Sequence, residues 1–163
     1  MYFAALSGRP VFAETAMLEC VADLSLPTTD GHAAELRLPE TILLNFRFAA
    51  IHDWTVIKAT LLLHVAGGDA LRKIDISTVT VAWTENKPEA VNIRKLNFLS
   101  HPVEEKPGGW IAVEVAPSLV ELLIAGKGTG LAIRDRASSK KHSIHSRESV
   151  QFTPYLIVDG RPR

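Results

Sequence analysis

The sequence predicts an all-β domain, a jelly-roll-like antiparallel β-sandwich with one short helix near 117–125. Three observations carry that expectation. Apolar residues alternate with polar ones along several stretches, the period-two signature of strands with one buried face. Clusters of Gly, Pro, Asp and Thr separate these stretches at short intervals. A single segment places its apolar residues at helical spacing instead.

Along the chain, strands are expected at 16–22 and 34–38, parted by the turn signal Pro27-Thr28-Thr29-Asp30-Gly31. Over 41–49, Ile42, Leu44, Phe46 and Phe48 fall on one face, and Leu43, Asn45 and Arg47 on the other. A connection over 50–55 leads into 56–66, where Ile57, Ala59, Leu61, Leu63 and Val65 alternate with Lys58, Thr60, Leu62 and His64. Past Gly67-Gly68-Asp69, a further strand is placed where Val79, Val81 and Trp83 share a face. The stretch 86–105 is polar, proline-punctuated and poorly periodic, which predicts a long excursion. Pro107-Gly108-Gly109 precedes a strand at 110–115. Next, Leu119, Leu122 and Leu123 at helical spacing predict a helix over 116–125. Pro117 or Ser118 opens it, since proline tolerates the first turn and serine can cap, and Gly126 closes it in the left-handed conformation. Strands at 130–134, 142–149 and 155–158 complete the set, with Asp159-Gly160 as the last turn signal.

A length of 163 residues suits one domain, read as 11–163 with residues 1–10 as an extension, and 47% hydrophobic residues can fill a sizeable core. Lys plus Arg and Asp plus Glu number 18 each, so the net charge is zero. That argues against a whole-protein attraction to nucleic acid or anionic membrane. One cysteine excludes an intrachain disulfide and leaves the compartment open. No run approaches the roughly 18 apolar residues of a membrane helix. Residues 1–6 are apolar but short for a signal-peptide core, and no basic residue precedes them.

An ordered set of short motifs resembles a known family. Val21-Ala22-Asp23-Leu24, Pro27, Asp30-Gly31 and Glu35-Leu36-Arg37-Leu38 look like a first hairpin. Leu43-Leu44-Asn45-Phe46, Ile57-Lys58-Ala59-Thr60-Leu61-Leu62-Leu63 and Trp83-Thr84-Glu85 follow in order. Then come the short helix before Gly130-Leu131-Ala132-Ile133, and Ile144-His145-Ser146-Arg147-Glu148 ahead of Pro154-Tyr155-Leu156-Ile157-Val158. From about residue 11 onward the chain resembles DNRLRE-type domains and their alginate-binding carbohydrate-binding-module relatives. It departs from them at Ile124, where a tryptophan is usual, and around 87–94, where a threonine-tryptophan block is absent. The resemblance implies a jelly-roll-like sandwich, secreted or displayed at a microbial surface, often beside polysaccharide-degrading enzymes. Some relatives bind acidic polysaccharides through basic residues.

The sharpest local chemistry is a basic cluster of Arg134, Arg136, Lys140, Lys141 and Arg147, with His142 and His145 among them. Guanidinium forks and ammonium groups suit carboxylates or sulfates on a polysaccharide. The competing reading is a solvated hairpin with its tip at 138–141, kept soluble by its charges. Trp54 and Trp110 are candidate stacking platforms or plugs of the sandwich ends, whereas Trp83 reads as core. A strand would send Arg147 to the face opposite Ser146 and Glu148, which makes Glu148 a structural partner for an arginine such as Arg37 or Arg47. His142 and His145, three apart on a strand, point to opposite sides and make a poor zinc pair. Asp23, Asp30 and Glu35 offer hard oxygens for a calcium site in the first hairpin, but no EF-hand spacing supports one. Cys20 reads as a small buried hydrophobe. No nucleophile elbow, phosphate loop or cofactor motif is present. The expected function is therefore non-catalytic polysaccharide binding outside the cell or at its surface, without cofactor or metal. The alternative is a structural or adhesion module that packs against other domains or copies of itself.

Overall fold

Ten strands appear in the computed structural model, which describes residues 12–26, 35–38, 41–68, 70–86, 91–135 and 142–163, without the side chains of 37 and 38. They are β1 (Glu14–Leu26), β2 (Glu35–Leu38), β3 (Thr41–Phe46), β4 (Trp54–Gly67), β5 (Lys73–Val79), β6 (Leu99–Glu105), β7 (Trp110–Val115), β8 (Gly130–Arg134), β9 (His142–His145) and β10 (Tyr155–Pro162). Every pairing among them is antiparallel.

Eight strands close on themselves in the order β10-β1-β3-β8-β5-β6-β7-β4, and β4 returns to β10. The fold is therefore a closed barrel, which corrects the expected jelly-roll sandwich. Two strands make the closure. The first half of β1 pairs with β10 from Glu14 to Glu19. A register shift between Cys20 and Ala22 then turns its second half onto β3. In the same way β6 gives residues 99–102 to β5 and 103–105 to β7. A sandwich leaves free edges at those two seams, whereas here each seam is hydrogen-bonded through one bent strand.

The barrel interior is filled rather than hollow. Leu18, Ile42, Leu44, Leu61, Leu63, Ile74, Ile76, Val113, Leu131, Ile133, Leu156 and Val158 interlock there. A strand at 79–83 is not formed. β5 ends at Val79, its buried residues include Ile74 and Ile76, and Val81 is exposed. The excursion expected over 86–105 contains β6 and also packs. Val91, with Ile93, Leu96 and Phe98 beside it, joins Trp83 over the outer faces of Leu43 and Ala132 as a second apolar cluster. That cover buries β3 on both faces, so it reads as a nearly continuous apolar run.

The helix α1 (Pro117–Ile124) forms where expected, with Pro117 in its first turn and Val120 and Leu123 in the barrel core. Lys127 N donates to Leu122 O at 2.9 Å and Gly126 N to Leu123 O at 3.0 Å. With Gly126 at φ 69°, this is a Schellman cap. Outside the ring, β4 extends past the barrel to pair with β9, and β9 pairs with β2. The described residues of β1 and β2 do not form the expected hairpin, since β2 pairs with β9 instead. β9 also stops at His145, short of the strand expected to run through residue 149, and the chain then turns.

Candidate functional site

The outer face of β10, β4 and β7 carries a groove of about 560 Å³. Cross-strand partners share a face. The outward row Tyr155, Leu62 and Ala112 therefore runs across the three strands, beside a row of Ile157, Thr60 and Glu114. Ala112 and Thr60 are small, while Trp110 and Tyr155 stand tall at one end, with ring centroids 6.2 Å apart. The floor dips between them. Met17 and Ile157 form an apolar rim, and Glu104, Lys106 and Pro107 wall the opposite side. Lys58 rises from the floor, and the Lys106 ammonium is paired with the Glu104 carboxylate. A smaller continuation of about 190 Å³ runs on past Lys58 and Thr60 to Pro102 and Glu114. A volume of this size, apolar with a few charged groups, is within the range of small-ligand clefts.

Behind Trp110 lies a cluster of rings. His64, directly opposite Trp110 in register, meets it edge-on at 5.2 Å and stacks on Phe152 at 3.9 Å. His64 Nδ1 lies 2.9 Å from His145 Nδ1, and His64 Nε2 lies 2.9 Å from Gly108 O.

Among the described residues expected to bind ligand, Trp110 alone lines the groove. Trp54 is 6% exposed and belongs to the core at the start of β4. Arg134 points to Asp75 at 3.6 Å and lies over the Phe98 ring at 3.5 Å. His142 turns to Asp135 at 3.6 Å, with both side chains buried. His145 faces His64 instead. Arg136, Lys140 and Lys141 lie outside the described residues, as does Asp30. The described members of the basic cluster thus turn to separate internal partners. Among the described residues, β8 and β9 are not paired with each other. Among the described residues, no group of three or more His, Cys, Asp or Glu side chains is placed to hold a metal ion.

Arg147 is a fold-holding group. Its Nε donates to Glu85 Oε1 at 2.9 Å and its Nη2 to Glu85 Oε2 at 3.0 Å, a bidentate pair. Nη2 is also 3.0 Å from Glu148 Oε1. Because the chain leaves the strand after His145, Arg147 and Glu148 meet instead of facing opposite ways. The expected structural role of Glu148 thus finds its cation in its own neighbour. Asp23, buried in β1, accepts from Arg147 N at 2.6 Å.

Burial pushes the Asp23 carboxyl from 3.8 up to about 6, and the bond from Arg147 N pulls against it. Its folded value lies above its unfolded one, so the stability linked to its proton is complete below about pH 4 and lost as pH rises through about 6. Asp23→Asn, neutral throughout, is expected to raise stability by about 1–3 kcal/mol at pH 8, with the gain vanishing near pH 4. Urea melts at the two pH values check this. Burial also pushes the Cys20 thiol far up, and its Sγ lies 3.2 Å from Ala22 O, so it is an inert core group.

The groove residues Lys58, Thr60 and Leu62 stood in the sequence as the outward half of an expected strand, and Tyr155 as the start of another. Their signal was an outer face with a leucine and a histidine where solvent-facing positions are usually charged. No family model matches this sequence, and no curated protein matches it. No helix among the described residues is long and apolar enough to cross a membrane.

Proposed function

We propose that this chain is a non-catalytic carbohydrate-binding module that lays a stretch of acidic polysaccharide along the outer groove of β10, β4 and β7. The observation that carries this reading is the groove itself, with Trp110 and Tyr155 at one end and Lys58 and Lys106 beside the floor. Flat rings stack on the apolar faces of sugars, and ammonium groups attract their carboxylates. Glu104 neutralises Lys106 in part, so Lys58 is the chief anion contact. The ordered resemblance to alginate-binding modules supports the same class of ligand, and with it a place outside a microbial cell or at its surface. The basic cluster around Arg134 is not the surface proposed here.

Affinity electrophoresis in gels containing polygalacturonate or alginate, with a neutral glucan as control, tests the reading. Retardation is expected in the uronic-acid gels at low salt, and it should fade as salt is added. Trp110→Ala is expected to weaken binding about tenfold or more, and Lys58→Met several-fold with a flatter salt dependence. Equal mobility in all gels at low salt would overturn the proposal.

Met17, 60% exposed on the apolar rim, favours a second reading in which the same face packs against a neighbouring domain or another copy. Light scattering that shows concentration-dependent association, abolished by Met17→Lys, would select that reading.

A further inference from the structure

We propose that His64 and His145 form a proton-counting pair that holds Trp110 in place with one extra proton and releases it with two. Ligand affinity then passes through a maximum as pH falls. The affinity half of this rests on the groove being the binding site, whereas the ring geometry does not.

The hydrogen bonds fix the protons. Gly108 O can only accept, so His64 Nε2 carries a hydrogen. In neutral His64 the Nδ1 is then a lone pair, and the 2.9 Å contact requires His145 Nδ1 to donate. Neutral His145 therefore presents Nε2 as its free acceptor. The first added proton goes there, where both contacts survive and the N–H···N bond gains charge assistance. A second proton has only His64 Nδ1 to occupy. There it would face the N–H of His145 across 2.9 Å, between two cationic rings whose centroids are 4.9 Å apart. The pair must open.

Opening reaches the groove through direct contact. Phe152 stacks on His64 at 3.9 Å and lies 4.8 Å from the His145 ring, while Trp110 stands edge-on to His64. Moving either imidazole removes the support behind the groove's main aromatic wall. The 107–109 turn is tied to the same ring, and Pro107 is part of the groove.

Among the described residues, the charged and titratable groups on the elements packed against the pair are few. Glu35 of β2 is the cross-strand partner of His145. Lys106 precedes the 107–109 turn and is engaged by Glu104. Tyr155 of β10 packs near Trp110, and in the turn after β9 Arg147 and Glu148 hold each other. None of these places a carboxylate between the two Nδ1 atoms to neutralise a doubly charged pair.

Side-chain ¹⁵N spectra of the histidines and the Trp110 indole signal, followed from about pH 8 to about pH 4.5, test the pair directly. The expected result is a first proton on His145 Nε2 with the indole unmoved, then a second that shifts it. Polygalacturonate retention should rise with the first proton and fall about tenfold with the second. In His145→Gln, whose amide can either donate or accept, the indole step and the affinity maximum should both vanish. Two imidazoles titrating independently while Trp110 stays fixed would overturn the proposal, as would a step that persists in His145→Gln. If the indole step occurs but polymer is held at no pH, the pair stands and the groove reading alone fails. Polymer held equally across the range, with no indole step, overturns the pair and leaves the groove.

Discussion

Arg147→Ala is expected to lower the unfolding free energy by about 2–4 kcal/mol while leaving polygalacturonate retention of the folded protein unchanged. The side chain is the shared cation of Glu85 and Glu148, and its loss strands Glu85 in a largely buried position. Full burial would put the cost at the top of the range for a broken ion pair. The Arg147 side chain keeps 32% of its exposure, so water screens part of the pair. Arg147→Lys should recover a minor share, because an ammonium cannot match the two-oxygen fork on Glu85. Thermal melts at pH 7, read beside affinity electrophoresis well below the melting point, separate the two roles. A variant that melts like the parent but loses retention would make Arg147 a ligand contact after all.

Trp54→Ala carries the largest expected loss, about 3–5 kcal/mol, and again no effect on binding by the fraction that remains folded. Trp54 opens β4 opposite Pro162 of β10 and lies under Gly160, where a Cβ would come within 2.8 Å of the indole Cε3. That close approach requires glycine at 160 and leaves no room for the ring to move outward. The indole caps one end of the barrel in contact with the main core. Chemical denaturation with Trp54→Phe as the conservative control tests this. Phe should restore most of the stability, since the loss comes from vacated volume and not from a lost sugar platform.

The strands at 110–115 and 130–134 were legible because each shows a dense apolar run bounded by turn residues. The helix was legible because proline and glycine mark its ends. β5 and β6 were not. Lys73–Val79 interrupts its apolar residues with Asp75, Ser77 and Thr78, and Leu99–Glu105 has Pro102 at its centre. Each is held by ladder bonds to partners remote in sequence, which no local pattern reports. The basic cluster misled for a related reason. Arg134, His142, His145 and Arg147 are close along the chain, but a strand end, a change of sheet and a turn send them to four different partners.

By itself the sequence determined that most of the chain is strand with one buried face, where one helix begins and ends, and that Glu148 needs a cation. Those are local matters of periodicity, capping and the cost of burying charge. Whether the strands form a sandwich or a barrel was decided only by tertiary structure, because both hide one face of each strand and write the same alternation. The bend at Cys20 and the crossing of β6 between two sheets close the ring. The groove was decided in the same way. Trp110, Tyr155, Lys58 and Lys106 lie on different strands and turns, and hydrogen-bond register alone brings them to one concave face.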